Sequence, residues 1–231
     1  MKVSLVESFL SIQGEGPSVG EPAMFLRLAG CNLACDWCDT PYSWDWKRFD
    51  RTETVQSLST ELLATKVASE VPASVKLLVV TGGEPLVQRG ALVELIRLVQ
   101  DLRPDMRVEV ETNGSIPPGS ALARLVHLFV VSPKLANAGV SNVVSVDTVR
   151  PFSVERAVLK FVVRTAQDVD DAAGFATEAG FAPGRVWVMP EGTDAPTIAA
   201  HGRATAPRAI DKGFRVSPRL QIALWGDERG Y

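Results

Sequence analysis

The stretch "VKLLVVTGGEP" (residues 75–85) reads as a strand that runs straight into a glycine turn. Leu77 to Val80 are apolar without a polar alternation, as a strand covered on both faces requires. Such strands belong to parallel sheets flanked by helices. Working outward, five more runs have the same character: "AMFLRLAG" (23–30), "MRVEVETNG" (106–114), "LVHLFVVSPK" (125–134), "RAVLKFVV" (156–163) and "GRVWVMPEG" (184–192). Helical spacing separates them. Val55, Leu58, Leu62, Leu63 and Val67 mark a helix over 53–68. Leu92, Leu95, Ile96, Val99 and Leu102 mark another over 88–103. A third spans 167–180, with Gly180 as its stop. Strands alternating with helices predict βαβ units, one domain and an α/β fold. Several strands end in polar or glycine-rich tails: "TGGEP", "ETNG", "SPK" and "MPEG". Any strand must end in a turn, and turns favour these residues. Together, on consecutive strands, they mark the rim of one site at the C-terminal ends of a parallel sheet.

Composition excludes several classes. The chain has 231 residues, 46% hydrophobic and 22% charged, with net charge −3. That is globular rather than disordered. No Lys/Arg run suggests a nucleic-acid partner. No apolar run suggests a membrane span, and "MKVSLVESFLSIQGEG" (1–16) is too polar for a signal peptide. A cytoplasmic location is expected, where thiols stay reduced.

All three cysteines lie in "GCNLACDWCDTPYSW" (30–44), as Cys31, Cys35 and Cys38. An odd number of thiols in a reducing compartment argues against disulfides. A closed zinc site needs a fourth ligand. The two histidines, His127 and His201, are distant in sequence, and His127 reads as an ordinary half-buried strand residue. Asp36 and Asp39 are the remaining zinc candidates, but carboxylates are rare in cysteine-rich structural sites. A four-iron cluster held by three cysteines leaves one iron open to an outside ligand, which makes the missing fourth cysteine a functional vacancy.

The C-x3-C-x2-C spacing with aromatic Trp37 before the last cysteine resembles the signature of the radical S-adenosylmethionine superfamily. The resemblance implies a [4Fe–4S] cluster on Cys31, Cys35 and Cys38, and S-adenosylmethionine chelating the open iron. Reductive cleavage of the cofactor then yields a 5′-deoxyadenosyl radical. "TGGEP" (81–85) and "SPK" (132–134) resemble superfamily stretches that contact the cofactor. By resemblance, Trp37, Asp39, Gly83, Glu84, Glu111, Ser132, Pro133 and Lys134 bind it. The glycines at 82 and 83 suit close backbone approach.

Residues 11–45, "SIQGEGPSVGEPAMFLRLAGCNLACDWCDTPYSWD", and the tail "SPRLQIALWGDERGY" (217–231) are similar to the 7-carboxy-7-deazaguanine synthase family. The likeness is sparse over 140–215. It implies a partial (β/α) barrel of the radical SAM type with about six core parallel strands, in one domain with a cluster loop at 30–50. It also implies a homodimer. The implied reaction converts 6-carboxy-5,6,7,8-tetrahydropterin to 7-carboxy-7-deazaguanine, with loss of ammonia, in queuosine-type biosynthesis. The cofactor is regenerated each turnover, and an external electron donor of the flavodoxin or ferredoxin type is required. Arg27 interrupts the apolar run leading to the cluster, and its guanidinium fork suits the substrate carboxylate. Ile12, Gln13, Gly14, Glu15 and Thr81 are further substrate candidates. Within "IQGEG", backbone groups are placed to read the pterin edge, and a carboxylate to accept two N–H bonds. Thr40 is the implied ligand of Mg²⁺, a cation that prefers oxygen donors. Tyr42, Trp44 and Trp46 are expected to shield the cluster or pack a dimer contact. Trp225 is expected to anchor the tail in the core, with Tyr231 near the substrate. Two rivals stand beside this reading. A glycyl-radical activase would share the cluster and "GGEP"; a zinc-stapled binding module would have no catalysis.

Overall fold

Among the described residues nine strands form a single sheet in the order β3-β1-β2-β4-β5-β6-β7-β8-β9. The structure is a computed structural model and describes residues 1–141, 144–152 and 155–231. The strands are β1 (Lys2–Ile12), β2 (Pro22–Leu28), β3 (Gln56–Ser59), β4 (Leu77–Gly82), β5 (Arg107–Thr112), β6 (Leu128–Val131), β7 (Ala157–Val163), β8 (Val186–Pro190) and β9 (Arg215–Val216). From β2 through β9 every pairing is parallel, while β1 runs antiparallel to both β2 and β3. The six strands expected from sequence are therefore the parallel core. The sheet stays open at its two edges, giving the partial (β/α) barrel.

Helices complete the crossovers: α1 (Arg51–Thr54), α2 (Thr60–Glu70), α3 (Arg89–Leu102), α4 (Gly119–Leu125), α5 (Val146–Val149), α6 (Ala166–Ala179), α7 (Ala195–Lys212) and α8 (Leu220–Trp225). The α3 stripe is as expected, with Leu92, Leu95, Ile96 and Val99 fully buried; Leu102, in the last turn, is exposed. Helix α6 carries a reciprocal cap between Thr165 and Asp168 and ends on Gly180 in the left-handed region.

The helix expected over 53–68 is corrected. Its first half is the single turn α1 followed by β3, which pairs with β1 from Lys2↔Ser59 to Leu5↔Gln56. Ser59 then caps α2, accepting from Leu62 N–H. Val55 and Leu58 precede that cap, and Leu62 faces solvent. Ladder bonds to β1 outweigh a helical spacing that these residues only happen to match. His127 is likewise exposed rather than half-buried, and its Nδ1 accepts Val108 N–H just before β6.

Side chains alternate across a strand, so each face of the sheet has its own set. Met24, Leu26, Leu78, Val80, Val108, Val110, Leu159 and Phe161 pack beneath the helices, in the main core. The alternate set is Phe25, Arg27, Val79, Thr81, Glu109, Glu111, Lys160 and Val162. Register aligns it across strands: Phe25↔Val79↔Glu109, Arg27↔Thr81, and Val162↔Met189. Arg27, Thr81, Glu109, Glu111 and Lys160 make the middle of that face polar on neighbouring strands, which places the site.

Candidate active site

A cavity of about 480 Å³ opens on this polar face, within the usual range for small-molecule sites. It is lined by Ile12, Gln13, Gly14, Glu15, Arg27, Cys31, Cys35, Trp37, Cys38, Asp39, Thr40, Thr81, Gly83, Glu111, Ser132 and Lys134. Two sequence candidates, Glu84 and Pro133, do not line it.

Three thiols share one wall. All are free and half-buried. Trp44 Nε1–H donates to Cys38 Sγ (3.3 Å), and Leu33 N–H to Cys31 Sγ (3.5 Å). Burial pushes the Cys31 thiol up to about 11 and raises Cys35 as well. Such a wall favours thiolates only when a cationic centre compensates them. Trp37 donates its indole N–H to Asn137 O (3.0 Å), and Lys134 Nζ lies 5.3 Å from the Trp37 ring centroid. Lys134 also donates to Ser132 Oγ (2.9 Å). The Thr40 hydroxyl is 3.9 Å from Cys38 Sγ.

The glycines of "TGGEP" lie in close backbone contact with their own chain. A Cβ on Gly83 would fall 2.3 Å from Gly30 O and 2.9 Å from Cys31 Cβ; one on Gly82, at φ +145°, would fall 2.2 Å from Leu28 O. Gly82 closes on the end of β2 and Gly83 on the start of the cluster loop, and Glu84 N–H seals the latter by donating to Gly30 O (2.8 Å). The Glu84 carboxylate is fully buried and accepts from Leu86 N–H, Thr112 Oγ1–H and Asn113 N–H. It therefore staples the ends of β4 and β5 from behind the wall.

The opposite wall is a charged network. Arg27 Nε donates to Glu7 Oε1 (2.6 Å), which also accepts from Tyr42 Oη–H (3.1 Å). Among the described residues the terminal nitrogens of Arg27 make no hydrogen bond. Thr81 Oγ1–H donates to Glu111 Oε2 (2.9 Å), and Gln13 Nε2–H to Glu111 Oε1 (3.2 Å) and Glu109 Oε1 (2.9 Å). Glu109 faces Glu111, Gln13, Ser18 and Lys160. Burial, and then the Glu111 charge, push it up to about 7. Glu15 is the reverse case. Lys160 Nζ (2.5 Å), Arg219 Nε (3.1 Å) and Gln221 Nε2 (2.8 Å) all donate to it and hold it well below the usual carboxylate range despite burial. With both oxygens taken, Glu15 is a structural hub, not the free acceptor its sequence context suggested. In the same loop Gln13, Glu15 and Gly16 N–H are also engaged; among the described residues Gly14 N–H alone between 13 and 16 makes no hydrogen bond.

The tail closes the rim. Leu220 N–H donates to Gly14 O (2.9 Å), and Gly16 N–H to Ser217 Oγ (2.8 Å). Residues 226–231 line the cavity. Trp225 is only half-buried and stacks on Tyr231 at 5.1 Å; the buried anchor is Ile222, which corrects the expectation for Trp225. Sequence reading missed Lys160, Arg219, Gln221 and Glu7. Lys160 carried a signal: it interrupts the apolar run "AVLKFVV" much as Arg27 interrupts its own.

Residues 26–200 match the radical SAM superfamily. Over 99% of its length the chain is 43% identical to the 7-carboxy-7-deazaguanine synthase of Pyrobaculum aerophilum, covering 97% of that protein. The chain belongs to the 7-carboxy-7-deazaguanine synthase family. The family protein of Hyperthermus butylicus is 36% identical over 95% of this chain and 92% of its own. The crystal structure of QueE from Escherichia coli superposes with a TM-score of 0.73 at 25% identity, covering 94% of this chain and 93% of that one. As a radical SAM member of the 7-carboxy-7-deazaguanine synthase family, the chain uses a [4Fe–4S] cluster and S-adenosylmethionine. The residues fit that cluster. Among the described residues no three His, Cys, Asp or Glu side chains converge on a single-ion site. A four-iron cube instead takes thiolates spaced around one wall, and here N–H donors already point at two of the sulfurs.

Proposed function

We propose that the chain contracts the ring of 6-carboxy-5,6,7,8-tetrahydropterin to give 7-carboxy-7-deazaguanine and ammonia. The observation that carries this is the pairing, in one cavity, of the three-thiol wall with an Arg27 fork. Glu7 holds that fork by its Nε edge alone. Both terminal nitrogens then suit a carboxylate in bidentate geometry. The rest of the wall suits a pterin. Among the described residues Glu111 accepts hydrogen bonds only from the neutral Thr81 and Gln13. It therefore keeps lone pairs for the guanidine-like end, a substrate role in place of the cofactor contact expected from sequence. Gly14 N–H and Thr81 serve the pterin edge. Trp37, Asp39, Gly83, Ser132 and Lys134 face the S-adenosylmethionine side. Glu84 and Pro133 support it from behind, since neither reaches the cavity. When bound, the cluster and S-adenosylmethionine supply the hydrogen-abstracting radical chemistry. The protein binds, orients and shields.

Magnesium has only Thr40 in this wall, because the neighbouring Asp39 is paired with Arg219 (2.5 Å). The ion then completes its shell with substrate oxygens and water, so its binding follows substrate. A flavodoxin- or ferredoxin-type carrier delivers the electron, and the chain works as a homodimer.

The test is anaerobic reconstitution with iron and sulfide, then assay with the carboxy-tetrahydropterin, Mg²⁺ and a reductant. Brown protein releasing 7-carboxy-7-deazaguanine and ammonia is the expected result. A colourless, zinc-replete protein would sink the reading. Brown protein that ignores the pterin and modifies a polypeptide would favour an activase.

A further inference from the structure

Arg219 spends its three kinds of donor nitrogen on three separate loops. Nε donates to Glu15 Oε1 (3.1 Å), Nη2 to Asp39 Oδ2 (2.5 Å) and Nη1 to Gly192 O. Glu15 follows β1, on the side proposed for substrate. Asp39 stands between Cys38 and Thr40 in the cluster loop. Gly192 follows β8. The Arg219 side chain is 8% exposed, so these bonds form out of water, where charge-assisted contacts count most. Among the described residues no other side chain bonds both Glu15 and Asp39. Among the described residues, Glu15 keeps Lys160 and Gln221 as hydrogen-bond partners if Arg219 is removed, and the Asp39 side chain keeps none.

We infer that Arg219 is a positioning residue, which fixes the spacing between the substrate side and the cofactor side of the cavity. The inference rests on the reaction proposed above. A planar fork spans two carboxylates and a carbonyl at fixed angles, whereas an ammonium can satisfy one partner only at the others' expense. Displacement of about 1 Å between reacting groups is enough to cost a large factor in rate. In the proposed reaction the cofactor is regenerated each turnover, so free 5′-deoxyadenosine counts turnovers that stop short. Arg219 keeps that count low by holding the two walls in register.

The test uses the reconstituted, cluster-loaded enzyme and Arg219→Lys. The cluster absorbance should be retained. Hydrogen exchange should quicken most in the 36–40 segment, where Asp39 loses its partner, and to a smaller extent at 13–16, where Lys160 and Gln221 still hold Glu15. The 5′-deoxyadenosine released per product should rise about ten-fold, the factor carried by one lost charge-assisted hydrogen bond. Faster exchange confined to 217–226, or an unchanged ratio, overturns the inference. Should Arg219→Lys fail to fold, Asp39→Ala removes the acceptor and cuts only the cluster-loop arm. It should quicken exchange at 36–40, spare 13–16 and raise the same ratio; an unchanged ratio again overturns the inference. If the wild-type enzyme makes neither product nor 5′-deoxyadenosine, the proposed reaction fails, and the exchange pattern still decides whether Arg219 bridges the two walls.

Discussion

The cluster loop and the C-terminal tail border the same cavity but are held in place by different means. Backbone bonds dominate in the loop. Gly30 N–H donates to Ser43 O (2.7 Å), Cys38 N–H to Cys35 O (3.2 Å), and Asp36 N–H to Ala138 O (3.0 Å). The tail relies mainly on side chains. Ser217, Arg219 and Gln221 reach the loop after β1, and beyond Trp225 the chain is mostly exposed. There Arg229 lies 3.8 Å from the Tyr42 ring centroid and 3.5 Å from Glu7. A backbone-held loop keeps its shape through most substitutions. A side-chain-held segment belongs to the low-stability end of the molecule and responds to single changes. The three thiols therefore stand on the segment less sensitive to single changes, and the rim of the cavity on the more sensitive one.

The largest expected effect tests the wall between them. Arg27→Ala removes the carboxylate fork and strands Glu7 beside Tyr42. Product formation per unit substrate should fall about 100-fold or more, while reductive cleavage of S-adenosylmethionine continues. Equal loss of both would show that Arg27 serves the cofactor wall instead.

The floor beneath the tail's anchor is next. Glu109 bonds Gln13 and Ser18, and its pKa is raised to about 7. A carboxyl raised in the fold contributes stability that is full below its unfolded pKa, near 4.5, and is lost as pH climbs through about 7. The wild-type chain should lose on the order of 3 kcal/mol across that window, and Glu109→Gln should remove the loss. Thermal unfolding at pH 5 and pH 8 measures it; identical pH profiles for the two proteins would refute the buried charge conflict.

Gly14 joins the loop after β1 to the tail more directly. A Cβ there would lie 1.7 Å from Gln221 Oε1 and 3.0 Å from Gln221 N. Gly14→Ala should destabilise by about 1–3 kcal/mol and make residues 217–231 a preferred proteolytic site. A protease pattern like that of the wild type would mean the tail does not need this contact.

The smallest effect is expected from deleting 226–231. Those residues are largely exposed, none is itself a core side chain, and only Arg229 lies over a buried ring, Tyr42, so the melting temperature should hold to within a few degrees. KM for the substrate should rise a few-fold. A substantial fall in melting temperature would erase the contrast between loop and tail.

Much of this was legible in the residues. The runs at 23–30, 75–83 and 184–192 announce buried parallel strands because they are short, rich in Val and aromatic residues and bounded by glycine or proline. The thiol spacing announces its cluster because a chelating loop is a local object. Strand β1 was missed although Val3 and Leu5 alternate with Lys2 and Ser4; β3 was lost to a spacing that fits a helix equally well. Helix α7 buries only Thr205 and Ala209 and contains Pro207, so it shows no apolar stripe to read.

By itself the sequence determined what is contiguous: the strand–helix alternation, the three thiols with Trp37, and the glycines that admit close backbone approach. Tertiary structure alone decided which charges meet. Lys160 finds Glu15 across 145 residues, and Arg219 finds Asp39 across 180. Sheet register and the path of the tail bring them together, and burial makes each pairing obligatory, because a charge out of water must find a partner.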